Sequence, residues 1–365
     1  MIRVLQVFSM MNRGGSETMI MNYYRNMDRT KVQFDFVVHT DKKCAYDDEI
    51  KSLGGQIFYV PFFKGYNLYS YQKAWNIFFQ THSQYKVIHI HYFTIAGLIL
   101  PIAKKYNLSV RIVHSHISTD SVPFLRLLRL HLLRPWAILH ATDRFACSAD
   151  AGVFFFRKHD FVIMNNAIDA EKFIFSSLLR NEKRSELGLK GKFVIGHIGR
   201  FQTQKNHSFI IDIFKEVCVL NKNAVLVLVG EGSLKKSIME KVSLLGLTDK
   251  VIFTGVRSDI PELLQAMDVF LFPSLYEGLG IVAVESQAAG LRTIISDNLP
   301  KEVYVTKLCE GVSLNEKPKV WAEKVNGCDN NYQHEDTFVE MCKAGYDIHE
   351  NAKWLEEFYL EKSVK

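Results

Sequence analysis

The chain has 365 residues, a length typical of about two domains. Apolar residues make up 48% and charged residues 23%, an ordinary globular composition that excludes a largely disordered protein. Six scattered cysteines form no C-x-x-C pair and show no metal-ligand spacing, so we expect reduced thiols, no bound metal and no cofactor. The short apolar start does not fit a signal peptide and no apolar run reaches membrane-spanning length, which predicts a cytoplasmic protein.

The net charge of +6 is distributed unevenly along the chain. Residues 1–168 carry 20 lysines and arginines against 11 acidic residues, a net charge of +9, and residues 169–365 carry 25 against 28, a net charge of −3. A basic first half suggests an anionic partner, such as a membrane face or a phosphate-bearing acceptor. The basic residues are dispersed and accompany no nucleic-acid-binding module, so we do not expect nucleic acid as a partner.

Short apolar runs alternate with helical patterns in the first half of the chain. We predict strands at 2–8, 34–38, 56–60, 87–91, 111–114 and 144–147, and helices near 16–27, 70–82, 95–106, 125–139 and 148–158. This alternation predicts parallel strands joined by helical crossovers.

The same alternation starts again in the second half. Strands are predicted at 193–199, 224–229, 251–254, 268–272 and 293–296, with helices near 206–220, 233–245, 258–266 and 280–289. We therefore predict an α/β protein with two doubly wound, Rossmann-like domains, 1–168 and 169–345, connected by the polar stretch 169–192. A helical period over 346–361 predicts a last helix within 346–365 that packs back on the first domain. Ligands of such sheets bind outside the carboxyl ends of the strands.

The most informative segment is 270–290, in which a buried strand ends at Pro273 and an apolar helix follows a loop with two glycines. Gly278 and Gly280 allow close approach to a ligand, and the first amides of the helix can receive a phosphate. Glu277 precedes the helix and Glu285 lies inside it, at most roughly 12 Å away along the axis. An isolated pair of this spacing is usually a structural one, but a charge among apolar neighbours such as those of Glu285 is costly unless it binds something.

This segment resembles the donor-binding motif of the retaining glycosyltransferases with the GT-B fold, the group known as family 4, which includes bacterial capsule and exopolysaccharide transferases. The resemblance implies that Glu277 holds hydroxyls of the donor sugar and that Glu285 holds the ribose of the nucleotide. It also implies that the backbone of Gly278, Leu279, Gly280 and Ile281 faces the sugar and the phosphate.

Residues 196–206 follow the first strand of the second half and enter a helix. Arg200 and Lys205 beside a helix N-terminus form an anion site suited to a diphosphate, although a solvated basic loop is an equally good interpretation of the segment alone. In the resembled family these two cations stabilise the leaving nucleoside diphosphate.

Two further turns follow strands of the second half. Residues 229–232 could begin a dinucleotide fingerprint, but Lys235 stands where the third glycine is required, which weakens a nicotinamide interpretation. The resemblance places Gly230 near the nucleotide and the backbone of Val256 and Arg257 at its base.

Two glycines and a histidine are the candidates of the first half. Gly14 and Gly15 lie between a strand and a helix, where they suit either a tight bend or a phosphate, and the resembled family has its G-G-x-E motif here. His116 ends another strand and matches the family's cleft histidine near the reacting carbon, with His114 and His91 as further candidates. Residues 166–169 match the family's hinge motif except for Ala167.

The resemblance covers nearly the whole chain and implies a metal-independent hexosyltransferase. Its donor is a nucleotide-diphosphate sugar, with UDP-sugars as our expectation, and its acceptor is a glycan or lipid-linked glycan of polysaccharide assembly. The basic apolar stretch 124–136 is either a crossover helix or a helix on an anionic membrane surface. A non-catalytic sensor of nucleotide sugars and a nucleotide-sugar epimerase are the rival interpretations.

Overall fold

The computed structural model describes residues 1–116, 124–328 and 334–364, with the backbone alone for 124–126 and 364. The chain divides into two units, of which the first comprises Met1–Ile168 with Gly345–Lys365 and the second comprises Asp169–Ala344. None of the helices in these ranges combines the length and the apolar character that crossing a bilayer requires.

The strands of the described residues are β1 (Ile2–Val7), β2 (Val32–Val38), β3 (Ile57–Tyr59), β4 (Val87–Ile90), β5 (Val110–Ser115), β6 (Asp143–Ala146), β7 (Val162–Ile163), β8 (Phe193–Ile198), β9 (Ala224–Val229), β10 (Val251–Gly255), β11 (Val269–Phe272), β12 (Arg292–Ser296) and β13 (Cys309–Val312). The helices are α1 (Gly15–Asn26), α2 (Asp47–Ser52), α3 (Leu68–Thr81), α4 (Ala96–Lys105), α5 (Phe124–His140), α6 (Ala149–Phe156), α7 (Ser177–Glu186), α8 (His207–Leu220), α9 (Lys235–Leu244), α10 (Ile260–Ala266), α11 (Ile281–Ala288), α12 (Pro318–Asn326), α13 (Phe338–Lys343) and α14 (Ile348–Val364).

Each unit is built on one parallel sheet. Within the described ranges the first sheet has seven strands in the order β3-β2-β1-β4-β5-β6-β7, and the second has six in the order β10-β9-β8-β11-β12-β13. The chain order reverses between β1 and β4 in the first sheet and between β8 and β11 in the second. Ligand crevices of open α/β sheets lie at such reversals, outside the carboxyl ends of the strands.

The first sheet is buried on both faces because neighbouring residues of its strands enter two different cores. Leu5 packs with residues of α3 to α6, whereas Val4 packs with residues of α1 and α14. Leu355 and Tyr359 of α14 are fully buried in the second of these cores, and the Tyr359 ring meets Phe34 edge-on at a centroid distance of 5.9 Å. The last helix is therefore part of the first unit.

The predicted connection 169–192 contains a helix, which the sequence analysis missed. Helix α7 lies in the second unit, where Arg180 and Arg184 both donate hydrogen bonds to Asp268, the residue directly before β11. Arg184 is the one residue of α7 that is buried, so the helix contributes no apolar side chain to the core by which the sequence analysis could have recognised it. The short strands β7 and β13 and the helices α2, α12 and α13 were missed as well.

Candidate functional site

Gly15, which follows β1, is not explained by the protein's own packing. Gly14 caps α1 with an extended backbone, at φ −110°, and α1 begins at Gly15. A Cβ on Gly15 would meet no atom within 4 Å, and φ at Gly15 is not positive. Neither space nor backbone conformation requires glycine at 15, which agrees with a turn that leaves room beside helix amides for a ligand.

His116 follows β5, is half-buried, and belongs to a row of four histidines on one face of the first sheet. Its Nε2 lies 2.9 Å from Nδ1 of His91, and Nε2 of His91 lies 2.9 Å from Oε1 of Gln6. His89 and His114 form a second pair, with Nε2 and Nδ1 3.2 Å apart. His114 is fully buried, so His116 is the histidine of this row nearest to solvent.

Burial keeps these imidazoles neutral. Desolvation lowers the pKa of His116 to about 3, and it lowers the pKa values of His89, His91 and His114 well below the ordinary value, with neighbouring histidines adding to the effect. Rings that stay uncharged at neutral pH can each donate one hydrogen bond and accept another.

Three of these histidines are close enough together to be considered as metal ligands. Nitrogens of His89, His91 and His114 lie within 4.8 Å of one another. The rings of His89 and His91 are stacked, however, with centroids 4.2 Å apart and planes 24° apart, whereas an ion must lie in the plane of every ring that ligates it. The arrangement favours hydrogen-bonded imidazoles over a metal centre.

In the second unit, the loops after β8 and β11 form one hydrogen-bonded corner. The amide of Leu275 donates to the carbonyl of Gln204 at 2.9 Å, and the side chain of Gln204 donates to the carbonyl of Tyr276 at 2.9 Å. Asn206 donates its side-chain amide to the carbonyl of Pro273 at 3.2 Å. Asn206 itself is left-handed, at φ 56°, and such strained positions concentrate at functional sites.

The corner brings Lys205 and Glu277 into direct contact. Nζ of Lys205 donates to Oε1 of Glu277 at 2.5 Å, and Gln204 donates to Oε2 of the same carboxylate at 3.1 Å. Lys205 also lies over the ring of Phe272, 4.6 Å from its centroid. The Glu277 side chain is 8% exposed, so its orientation is fixed by these contacts. Sequence analysis missed Gln204, because nothing in a loop glutamine indicates a partner 73 residues away.

Glycine 280 is required by the backbone at the start of α11. Gly280 adopts a left-handed conformation, at φ 88°, and forms the N-cap of α11, while Leu279 before it is buried and anchors the loop. Ile281 is the first residue of the helix. Glu285 lies one turn further on, where desolvation raises the pKa of its carboxyl to about 7.

The ends of β8, β9 and β10 are joined by backbone hydrogen bonds. Gly199 donates to Val229, and Gly230 donates to Gly255, both at 2.9 Å. Gly230 has φ 136°, and a Cβ there would lie 2.2 Å from the carbonyl oxygen of Gly199. Close packing of two turns therefore requires this glycine. Arg200 follows Gly199 directly in the chain and is exposed.

The predicted base-binding residues follow β10. Val256 is exposed, whereas the guanidinium of Arg257 donates to Asp259 at 2.5 and 2.7 Å and to Glu186 at 3.0 Å. These carboxylates raise the pKa of Arg257. The Arg257 side chain is thus occupied within its own unit, which leaves its backbone for the contact that the sequence predicts.

Two Rossmann-like units with parallel sheets are the architecture of the GT-B fold, and comparisons with known proteins identify the family. Residues 13–171 match the family "Glycosyltransferase Family 4", and residues 180–341 match "Glycosyl transferases group 1". The putative glycosyltransferase EpsF of Bacillus subtilis is 36% identical over 98% of this chain and 96% of its own. The chain therefore belongs to the group 1/family 4 glycosyltransferases.

Further relatives support this assignment. The Staphylococcus aureus capsular polysaccharide biosynthesis glycosyltransferase CapH is 26% identical over the whole length of both chains. An Escherichia coli galactosyltransferase, which uses UDP-Gal and GlcNAc-diphosphoundecaprenol, is 34% identical over 37% of this chain and 36% of its own. The structure of Anabaena HepE in complex with UDP has a TM-score of 0.83 at 19% identity, covering 99% of this chain and 100% of that one, which shows the same fold.

Proposed function

We propose that this protein is a retaining, metal-independent hexosyltransferase that uses a UDP-sugar donor. The observation that carries the proposal is the corner in which Lys205 and Glu277 are held 2.5 Å apart beside the N-terminus of α11. A cation and helix amides suit the diphosphate of a nucleotide sugar, and the carboxylate between them suits the sugar hydroxyls. HepE, which shares the fold, was solved with UDP and with UDP-glucose.

The remaining donor contacts follow from this placement. Arg200 joins Lys205 at the diphosphate, while Gly278 and Gly280 allow the amides that open α11 to approach it. Glu285 accepts hydrogen bonds from the ribose hydroxyls. The open space beside Gly15 supports a role for the turn of Gly14 and Gly15 in the same reaction, with His116 at the sugar.

Departure of the diphosphate is the costly step of glycosyl transfer, because it builds negative charge on the leaving oxygen and positive charge on the sugar ring. Fixed cations such as Arg200 and Lys205 favour the charged transition state over the ground state. The first-unit residues assigned to the site are glycines and a neutral histidine, which supply no carboxylate nucleophile. The resemblance to the retaining family 4 enzymes implies attack on the same face as departure, with the leaving phosphate oxygen receiving the acceptor proton, and we propose this course here.

The donor assignment can be tested by measuring thermal midpoints with UDP-glucose, UDP-galactose, UDP-N-acetylglucosamine and the matching GDP-sugars. A ligand that binds only the folded protein raises the midpoint, by an amount that grows with its concentration over Kd. We expect a shift with a UDP-sugar and a smaller one with Arg200→Ala. Glu277→Ala should keep UDP binding and lower transfer by about 100-fold or more, as loss of a transition-state contact does. Full transfer by both variants would refute these roles, and binding without transfer or hydrolysis by the wild type would favour a sensor.

We further propose a lipid-linked glycan acceptor reached from an anionic membrane face. Helix α5 packs one side on α4, where a Cβ on Gly97 would lie 2.1 Å from the carbonyl oxygen of Leu133. Its opposite side exposes an apolar stripe at helical spacing, consisting of Leu128, Leu132, Trp136 and Leu139. The helix belongs to residues 1–168, which carry a net charge of +9. The side chains of 124–126 lie outside the described residues. The lipid-linked acceptor of the E. coli relative and the polysaccharide role of CapH support the proposal.

Vesicle sedimentation tests the membrane face. The wild type should bind phosphatidylglycerol vesicles more strongly than phosphatidylcholine vesicles, and binding should fall with salt. Leu132→Gln with Trp136→Gln should reduce binding several-fold, because both side chains are exposed apolar groups of the stripe. Leu244→Gln, which changes an exposed leucine of the second unit, is the matched control. Equal binding by all three proteins would contradict the proposal.

A further inference from the structure

The four histidines of the first sheet form two flat pairs stacked on each other. Within each pair the rings are nearly coplanar, His89 with His114 at an interplanar angle of 14° and His91 with His116 at 24°. Between the pairs, the rings of His114 and His116 stack with centroids 4.0 Å apart, as His89 and His91 do at 4.2 Å. Each ring therefore has its edge, where the nitrogens are, directed along its own pair.

Gln6 of β1 joins the two pairs and is fully buried. Its Oε1 lies 2.9 Å from Nε2 of His91, and its Nε2 donates to the hydroxyl of Tyr359 at 3.3 Å. That hydroxyl lies 2.7 Å from Nδ1 of His89. A single amide thus lies at the centre of one hydrogen-bonded row that runs outward to His116 on one side and inward to His114 on the other.

The chemistry of the amide determines the direction of every bond in the row. An amide oxygen can only accept, so Nε2 of His91 must carry the proton. A neutral His91 then accepts at Nδ1, and the partner that donates to it is Nε2 of His116. His116 consequently holds its own proton on Nε2 and keeps a lone pair on Nδ1.

The other arm follows in the same way. An amide nitrogen can only donate, so the Tyr359 hydroxyl receives from Gln6 and gives its proton to Nδ1 of His89. His89 then donates from Nε2 to Nδ1 of His114. Within the described residues, the ring nitrogens of the row bond only to one another, to Gln6 and to Tyr359, so no carboxylate there imposes a different protonation state.

We propose that Gln6 is a positioning residue that acts through His91 to fix the tautomer of His116, so that the ring presents Nδ1 as an acceptor for a carbohydrate hydroxyl. This inference rests on the proposed function, because His116 is taken to meet the sugar. It assigns a role to a fully buried residue of β1 that acts through its hydrogen-bonded neighbours. The low pKa of His116, about 3, is consistent with a ring that remains neutral throughout.

Nitrogen NMR on the histidine-labelled 365-residue protein tests the tautomer without any substrate. In the wild type, Nε2 of His116 should show the shift of a protonated ring nitrogen, and Nδ1 that of a bare one. Gln6→Met removes both polar groups at the same length and should give His116 a mixed or reversed pattern. Gln6→Glu, measured at a pH at which the new carboxyl is protonated, should restore the wild-type pattern, since that carboxyl can accept from His91 and donate to Tyr359 as the amide does. A bare Nε2 in the wild type would overturn the proposal.

Gln33→Met is the matched control for the loss of a buried glutamine. Gln33 lies on the neighbouring strand β2, is 4% exposed, and donates to the hydroxyl of Tyr24 at 2.6 Å. This variant should lose a comparable glutamine–tyrosine bond yet leave the nitrogen shifts of His116 unchanged. A change in those shifts equal to that in Gln6→Met would show a general structural effect and refute the positioning role.

Transfer rates distinguish failure of this inference from failure of the proposed function. With UDP-glucose, or whichever UDP-sugar turns over in the donor screen, Gln6→Met should lower kcat/KM about tenfold, the effect of losing one ordinary hydrogen bond. In the His116→Ala background the same change should have no further effect. If His116→Ala alone transfers normally, the assigned role of His116 fails while the tautomer measurement still stands. If the two changes are additive, Gln6 does not act through His116.

Discussion

Glutamate 285 offers a sharp test of the second unit, because its burial has a consequence for stability. Desolvation raises the pKa of the Glu285 carboxyl from 4.5 to about 7. At about 1.4 kcal/mol per pH unit, ionising this group in the folded protein costs about 3 kcal/mol relative to the unfolded chain. A raised folded-state pKa means that the full stability is present below pH 4.5 and is lost as the pH rises through 7.

The variant Glu285→Gln resembles the protonated carboxyl in shape and cannot ionise. We expect it to match the wild type at pH 4.5 and to become more stable by up to about 3 kcal/mol at pH 8. Urea unfolding at several pH values, followed by the fluorescence of Trp321 in the second unit after replacing the other tryptophans, measures the difference. Glu323→Gln, which changes an exposed helical glutamate of the same unit, should show no such trend. A difference between Glu285→Gln and wild type that is the same at every pH would refute the reasoning.

The same variant tests the proposed ribose contact. A carboxylate accepts hydrogen bonds from ribose hydroxyls better than a carboxylic acid does, so UDP affinity of the wild type should rise as the pH passes 7. The phosphates of UDP titrate as well, but they do so equally with both proteins. Calorimetric titration should therefore show a ratio of wild-type to Glu285→Gln affinity that increases with pH. A constant ratio would leave the stability result intact and remove the ribose role.

Two further predictions concern the packing that supports this site. Asp268→Asn removes the carboxylate that accepts from two arginines of α7 and should destabilise the protein by about 3 kcal/mol in urea unfolding. Asp249→Asn changes an exposed aspartate and should alter the free energy of unfolding by no more than about 0.5 kcal/mol. Similar values for both variants would contradict a role for the ion pairs. Gly230→Ala places a Cβ 2.2 Å from a carbonyl oxygen and should lower the free energy of unfolding by more than roughly 2 kcal/mol. Gly246 also has a positive φ but lies in open space, so Gly246→Ala should lower it by about 1 kcal/mol. Equal thermal midpoints of the two variants would exclude the clash.

The sequence predicts the buried strands well because their apolar runs are continuous. Strand β9 begins and ends at the predicted residues, and most other strands differ by one or two residues at an end. Helix α7 could not be predicted in this way. It is held by Arg180 and Arg184 through Asp268, which is more than 80 residues away, so tertiary ion pairs replace the apolar stripe that a periodicity analysis requires. Strand β13 is a short edge strand that includes a charged residue, Glu310, and gives too weak a pattern.

In the candidate site, too, motifs that are continuous in sequence can be predicted and contacts between distant residues cannot. Glycines at strand ends and the residues around Glu277 can be identified from their spacing, because each motif is continuous in sequence. The partners that orient these groups cannot, since Gln204 reaches Glu277 over 73 residues and Gln6 reaches Tyr359 over 353. Such contacts depend on the packing of strands and helices that are distant in the chain.

The proposed reaction develops negative charge on the diphosphate and positive charge on the sugar, and different residues suit each change. Leaving-group departure gives the diphosphate added negative charge, for which the cations Arg200 and Lys205 of the second unit are appropriate. The sugar ring becomes positive at the same time, and a protonated histidine hydrogen-bonded to it would oppose that change. Burial of the histidine row keeps His116 neutral, with its pKa near 3, and the amide of Gln6 then decides which nitrogen holds the lone pair. A substitution that places a positive charge in the histidine row should therefore lower the transfer rate more than one that replaces a histidine with an uncharged residue.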